Sequence, residues 1–139
     1  MKKSVRFGIS MEQNLLRDFD ELLERIGYAS RSEAVRDLIR EKLVEKEWQD
    51  TNREVVGVIT IVYSHATREL SENLTSIQHH YYKQIISTTH IHLDHNNCLE
   101  VLIVRGKSVK IKEIAERLIS TRGVKHGRLT TTTTGKKLA

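Results

Sequence analysis

The stretch Val55-Val56-Gly57-Val58-Ile59-Thr60-Ile61-Val62 is the longest apolar run of this 139-residue sequence. A continuous run of this kind predicts one strand of a packed sheet, buried on both faces. The run is far shorter than the roughly 18 residues that a membrane-spanning helix needs. It therefore predicts a globular domain built around a sheet, with no membrane partner.

The residues after this strand alternate between helical and strand patterns. A helical stripe comes first, formed by Leu70, Leu74, Ile77 and Tyr81. Strand patterns follow over residues 85–94 and 98–105, joined by the turn residues His95-Asn96-Asn97. A second helix from Ser108 and a last strand over residues 124–132 complete the order β-α-β-β-α-β. This order predicts a ferredoxin-like α+β domain over residues 53–139.

The first 48 residues predict a separate strand–helix–helix domain. Residues 5–11 alternate between apolar and polar side chains, and two amphipathic helices follow on either side of Gly27. Ser30 and Glu33 form a capping-box pattern at the start of the second helix. Because one strand cannot satisfy its own backbone groups, we expect a second copy of the chain to pair with it. The short polar segment over residues 47–53 is the expected linker.

The composition excludes several classes of protein. Hydrophobic residues make up 38% and charged residues 29% of the chain, which is enough for a packed core and argues against disorder. The first residues lack the apolar segment of a signal peptide, and a lone cysteine forms no intrachain disulfide. These features predict a cytoplasmic protein. A net charge of +5 is too modest to indicate nucleic acid by itself.

Two histidines and the single cysteine are expected to converge on one hairpin. His90 and His92 lie two residues apart on a strand, so their side chains share a face. A three-residue turn at 95–97 would place Asp94 opposite Cys98 and His92 opposite Glu100. Two imidazoles and a thiolate suit a transition metal. Glu100 is then expected to accept the second ring N–H of His92.

The same parity separates the hairpin into two faces. Apolar side chains occupy the face away from the ligands, namely those of Ile91, Leu93, Leu99, Val101 and Ile103. We expect this apolar face to be the buried one. A fourth ligand could be His79 or His80, within the chain or in a neighbouring chain, and spacing does not choose between them. The other histidines, at positions 65, 95 and 126, are expected to be structural or solvated.

Two groups of sequence stretches resemble known domains. Arg6-Phe7-Gly8-Ile9-Ser10 and residues 27–37 resemble a ribbon-helix-helix DNA-binding domain. Gln78-His79-His80-Tyr81-Tyr82, residues 90–100 and residues 123–127 resemble the metal domain of one family, the nickel-responsive transcriptional regulators called NikR. The resemblance covers about residues 4–134.

The resemblance implies a homotetramer, a dimer of dimers, with the ferredoxin-like domains (ACT-type in this family) at its centre. It implies one nickel ion per chain, held in a square plane by His90, His92 and Cys98 of one chain and by His79 of another. It also implies a weaker cation site between the domains, to which Glu33 and Asp37 correspond.

The resemblance assigns base contacts to three outward side chains of the ribbon, at Arg6, Gly8 and Ser10. Gly8 departs from the family, because it has no side chain to reach a base edge. Phosphate contacts are expected from the N-terminus of the second helix at Ser30 and from Arg31 and Lys3. These assignments predict a nickel-dependent regulator, a repressor, that binds a palindromic DNA operator through a two-stranded β-ribbon.

Three other functions fit parts of the sequence. A zinc hydrolase would use the same His and Cys ligands, but it needs an open coordination position and a general base, and Glu100 is expected to lie under His92 instead. A regulator could respond to a small molecule bound by the ACT-type domain, or to zinc or copper. We predict no enzyme activity, and only the resemblance selects nickel over the other metals.

Overall fold

The computed structural model describes residues 3–139, so Met1 and Lys2, the first residues of the predicted N-terminal domain, lie outside the described part. The chain divides into two compact units, one ending at Glu41 and the other running from Lys42 to Ala139. Among the described residues, no helix combines the length and the apolar character needed to cross a membrane.

The first unit contains helix α1 (Gln13–Ile26) and the beginning of helix α2 (Arg31–Gln49). Helix α1 ends at Gly27, whose N–H donates to the carbonyl of Leu23. The left-handed backbone of Gly27 (φ 93°) also brings the N–H of Tyr28 to the same carbonyl, at 3.0 Å. The hydroxyl of Ser30 accepts the N–H of Glu33 at 3.2 Å. This hydrogen bond satisfies one free donor at the start of α2, as the capping-box pattern predicts.

Residues 3–12 form no strand in the single chain, which corrects the prediction for residues 5–11. The physical reason is that an isolated strand has no partner for its backbone N–H and C=O groups. The apolar side chains of this segment are exposed, with Val5 at 83% and Phe7 at 70% of their full accessibility. Large apolar side chains of both helices are also exposed, including those of Leu15, Leu38 and Ile39.

The second unit has the ferredoxin-like order. Its elements are β1 (Glu54–Ser64), α3 (Leu70–His80), β2 (Ile85–His92), β3 (Asn97–Lys107), α4 (Ser108–Ile119) and β4 (Val124–Thr132). The four strands form one antiparallel sheet in the order β2-β3-β1-β4. The predicted α+β fold class is therefore confirmed.

One face of this sheet forms the core. Alternate residues of β1 are buried, and Ile59 and Tyr63 pack with Leu102 of β3. The helices cover them with five apolar side chains, those of Leu70, Leu74, Ile111, Ile114 and Leu118. The other face of β1 is only half-buried, so the prediction that this strand is buried on both faces is wrong for the single chain.

The last turn of α2 packs into the second unit. Val44 and Trp48 belong to its core, and the indole N–H of Trp48 donates to the carbonyl of Thr132 at 2.8 Å. The ammonium of Lys112 donates to the carbonyl of Trp48 at 3.2 Å. These contacts explain why the two units divide within α2. The domain limits at residues 48 and 53 stay a prediction.

Candidate metal centre

The β2–β3 hairpin carries the predicted ligands, but in a register that differs from the expected one. His92 pairs with Cys98, and His90 pairs with Glu100. The prediction that Asp94 lies opposite Cys98 and His92 opposite Glu100 is therefore wrong. The shift spans two residues, so the alternation of faces is preserved. His90, His92 and Cys98 share one face of the hairpin, as the sequence predicts.

The longer loop between the strands accounts for the difference. The carboxylate oxygen Oδ1 of Asp94 accepts the backbone N–H of Asn96 and of Asn97, each at 2.8 Å. The side-chain amide of Asn97 donates to the same carboxylate at 2.9 and 3.1 Å. These hydrogen bonds, first those from Asn97, lower the pKa of Asp94 to about 2. Such a side-chain turn ends the pairing at His92 and leaves residues 93–96 as a loop.

On β3, the face that carries Cys98 is the buried one, whereas His90 and His92 on β2 are exposed. Cys98 and Glu100 lie on the core side of β3, in line with Leu102 and Val104. The opposite face stays partly exposed, with Ile91 accessible to 43%. The expectation that the apolar face around Ile91 is buried is therefore wrong for the single chain. Period-two alternation separates two faces but does not say which one the helices cover.

The nearest donors to the Cys98 sulfur are His65, in the turn directly after β1, and His92, the last residue of β2. The Cys98 Sγ lies 3.1 Å from Nδ1 of His65 and 3.6 Å from Nδ1 of His92. These three donor atoms all lie within 4.8 Å of one another. Because Tyr63 pairs with Cys98 and Ser64 with Asn97, the chain leaves β1 beside the sulfur. Only the long-range pairing of β1 with β3 reveals that His65 lies beside Cys98. The structural or solvated role of His65 stays a prediction.

His90 stands beside this group. Its ring centre lies 5.2 Å from that of His92 and 6.1 Å from that of Tyr63. Its imidazole is exposed on β2, an edge strand of the sheet. Two imidazoles and one thiol in contact, with a third imidazole adjacent, form a donor set that fits a transition metal.

Glu100 is held by groups other than His92. Tyr63 donates its hydroxyl to one carboxylate oxygen at 2.9 Å, and Gln78 donates its side-chain amide to the other at 2.8 Å. Burial, followed by the hydrogen bond to Glu100, raises the pKa of Tyr63. These two hydrogen bonds replace the expected contact of Glu100 with the His92 ring. They hold the Glu100 side chain in place opposite His90 on the neighbouring strand.

His79 lies at the end of α3, next to Gln78, and is exposed. It lines a shallow surface depression with residues of the first turns of the helix, Ser71, Glu72, Thr75 and Ser76. Within the described chain, the group of close metal donors consists of His65, His92 and Cys98 and does not include His79. Its role as a ligand stays a prediction.

The predicted DNA contacts lie on the first unit. Lys3, Arg6, Gly8 and Ser10 are exposed, and apart from Gly8 and its two chain neighbours no described atom lies within 4 Å of the place where a Cβ on Gly8 would be. Arg31 makes two hydrogen bonds of 2.7 Å to the carboxylate of Asp20. This pairing lowers the pKa of Asp20.

The predicted second cation site also lies on the first unit. Glu33 and Asp37 line a shallow cavity of about 290 Å³ with Tyr28, Arg36 and Arg40. Asp37 already accepts hydrogen bonds from the Tyr28 hydroxyl at 2.9 Å and from Arg40 at 2.8 Å. Among residues 3–139, no third Asp, Glu, His or Cys forms a group of close metal donors with Glu33 and Asp37.

Comparison with known proteins identifies both units. The family described as the NikR C-terminal nickel-binding domain matches residues 56–132. The chain belongs to the NikR family of nickel-responsive regulators. The ribbon-helix-helix family of the copG type matches residues 5–46, so NikR's DNA-binding domain is present as well. The resemblance read from the sequence motifs is confirmed.

The relatives match over nearly the whole chain. A protein of Caldanaerobacter subterraneus named as a nickel-responsive regulator is 56% identical over 96% of this chain and 87% of its own. A protein of the same name from Geotalea uraniireducens is 54% identical over 99% of both chains. The chain has a ribbon-helix-helix DNA-binding domain, and its relatives are named as regulators. Both findings point to a protein that is not an enzyme.

Proposed function

We propose that this protein is a nickel-dependent transcriptional repressor whose affinity for a palindromic operator is controlled by metal at the centre of a homotetramer. One observation carries the proposal. The only cysteine of a nickel-regulator domain is buried in contact with two imidazoles, on a chain that also has a ribbon-helix-helix domain. A transcriptional regulator of this kind acts in the cytoplasm.

We propose one nickel ion per chain, with His90, His92 and Cys98 of one chain and the partner subunit's His79 as ligands. The shared face of His90, His92 and Cys98 supports the first three. The exposure of His79 at a helix end supports its use by a neighbouring chain. When bound, the metal would link two chains. This link can favour DNA binding only if it stabilises the tetramer arrangement that binds DNA more than the other arrangements of the tetramer.

Exposed apolar surfaces on both units support the assembly. The uncovered side chains of residues 5–11 suit an antiparallel two-stranded ribbon with a second copy, as the unpaired backbone requires. The exposed apolar face of the hairpin, which includes Ile91, Leu93 and Ile103, suits a second contact between copies. Two distinct self-contacts are what a dimer of dimers needs.

A two-stranded ribbon fits the major groove and presents alternate side chains to base edges. We propose that Arg6 and Ser10 read bases, that Gly8 allows close approach without a side-chain contact, and that Lys3 with the α2 N-terminus at Ser30 holds phosphates. Arg31 would have to exchange its Asp20 partner for a phosphate. Glu33 and Asp37 are proposed as a weaker cation site.

The contact of His65 with Cys98 favours a second donor set for a tetrahedral metal such as zinc, formed by His65, His92 and Cys98. We therefore expect His90→Ala to weaken nickel binding by roughly 100-fold and His65→Ala to change it little, since each ligand supplies a share of the binding free energy. Zinc binding should respond in the opposite order. Equilibrium dialysis with each metal measures both affinities.

His126→Ala is the matched control for this comparison, because His126 lies on β4, outside the group of close donors. It should leave both affinities unchanged. Loss of nickel binding in His65→Ala with retention in His90→Ala would show that His65, and not His90, belongs to the nickel site.

The regulatory proposal is tested by recovering genomic DNA fragments on the protein with and without nickel. We expect nickel to enrich a small set of fragments that share an inverted repeat. Arg6→Ala should reduce their enrichment by about 10–100-fold, the range for one lost base contact. Arg17→Ala, at an exposed position of α1, is the control and should behave as wild type. Equal enrichment without nickel would contradict metal control.

A further inference from the structure

The loop that separates His92 from Cys98 is closed by side chains that bind no metal in the proposed site. Asp94 uses both carboxylate oxygens on this loop, accepting from the backbone of Asn96 and from the backbone and side chain of Asn97. The N–H of Leu93 donates to the carbonyl of Asn97 at 2.9 Å. Asn97 is thereby fixed on three of its polar groups, immediately before Cys98.

Strand β4, at the opposite edge of the sheet from the hairpin, also contacts Asn97. The ammonium of Lys125, at the start of β4, donates to the side-chain oxygen of Asn97 at 2.6 Å. Strand β1 separates β4 from β3, so this contact spans the end of β1, where the chain leads into His65. The contact therefore joins the hairpin loop to the rest of the sheet at the end where the donors meet.

We propose that Asp94 and Lys125 are positioning residues for the metal site: acting through Asn97, they hold the 93–97 loop closed so that Cys98 stays buried beside His92. The inference rests on the proposed metal-binding function and adds to it two residues that do not contact the metal. The physical reason is preorganisation. A loop that is closed before binding does not have to be ordered when the ligands close around an ion.

If Asp94 and Lys125 position Cys98, their loss should make the Cys98 sulfur more accessible even in the metal-free protein. Cys98 is fully buried, and it is the only cysteine of the chain, so a thiol-alkylating reagent reports its accessibility without ambiguity. Opening of the loop exposes the sulfur. We expect Asp94→Ala to accelerate alkylation of the metal-free full-length protein by about fivefold or more, because several hydrogen bonds to a charged group are lost together.

The same variant should bind nickel about 10–100-fold more weakly, the range typical of groups that orient metal ligands. Its thiolate absorption band at saturating nickel should match that of wild type, because the ligands themselves are unchanged. Asp94→Asn keeps an oxygen that accepts the two backbone N–H groups, and it should lie closer to wild type than to Asp94→Ala in both measurements. Lys125→Met should shift both measurements in the same direction as Asp94→Ala.

Asp50→Ala is the matched control, because the Asp50 carboxylate accepts the N–H of Asn52 at 3.1 Å in a similar turn after α2, away from the hairpin. It should change neither measurement. Alkylation and nickel affinity of Asp94→Ala within twofold of wild type would overturn the proposal, as would equal effects of Asp50→Ala. A wild-type protein that binds no nickel would instead overturn the proposed function, while the alkylation rates would still test the positioning role.

Discussion

Replacement of Cys98 with serine is expected to remove tight nickel binding. Structural zinc sites with four ligands contribute about 10–16 kcal/mol of apparent binding free energy, and by that scale one ligand accounts for about 3 kcal/mol, or roughly 100-fold in affinity. The loss at Cys98 should be at least this large, because the chain has no other thiolate to replace it. The absorption band of thiolate-to-nickel charge transfer should disappear. Equilibrium dialysis and absorption spectroscopy measure the two effects.

Because Cys98 is buried in the core, a change there could also weaken the fold. His92→Ala, at an exposed position, should cause a similar loss of affinity without disturbing the core. His126→Ala should bind nickel as wild type does. A Cys98→Ser protein that keeps its affinity and the same absorption spectrum would show that the sulfur is not a ligand.

The parity of the ligands could be predicted because it does not depend on register. A shift by two residues moves the partner of Cys98 from Asp94 to His92 but leaves His90, His92 and Cys98 on one face. The register itself depends on the Asp94 side chain, which accepts the backbone N–H groups of Asn96 and Asn97 and so lengthens the loop. Turn propensities of single residues do not predict these hydrogen bonds.

Two other features could not be predicted from local patterns. The covered face of the hairpin is decided by where α3 and α4 pack, and alternation alone reads the same for either face. The proximity of His65 to Cys98 follows from the pairing of β1 with β3, residues that are far apart in sequence. The capping of α2 by Ser30, in contrast, involves neighbours three residues apart and was predictable.

Neither the sequence nor the structure of one chain, over its described residues 3–139, contains a partner strand for residues 5–11. The alternation of this segment predicts a strand, yet the chain forms none there. Both observations agree if the partner strand belongs to a second copy, since backbone pairing is what turns an alternating segment into a strand. The exposed Phe7 and Ile9 then mark the face that the second copy would cover.

Mixing two inactive variants is expected to restore nickel sites if the ligands come from two chains. His79→Ala chains keep His90, His92 and Cys98, and Cys98→Ala chains keep His79. Neither variant alone can build a complete site. In tetramers assembled at random from equal amounts of both, about one site in four should combine an intact hairpin with an intact His79 from its neighbour, as follows from the symmetry of the assembly. Nickel titration of the mixture counts these sites.

The control mixture pairs Cys98→Ala with His92→Ala, two lesions on the same hairpin. Mixing these chains should restore nothing, because every hairpin in the assembly lacks one ligand. Mixed tetramers are verified by purifying them through a tag carried on one variant only. If verified mixed tetramers of His79→Ala and Cys98→Ala also bind no nickel, His79 does not complete a neighbour's site. The exposed position of His79 at the end of α3 would then need another explanation, and metal binding would lose its direct connection to the assembly that presents the ribbon to DNA.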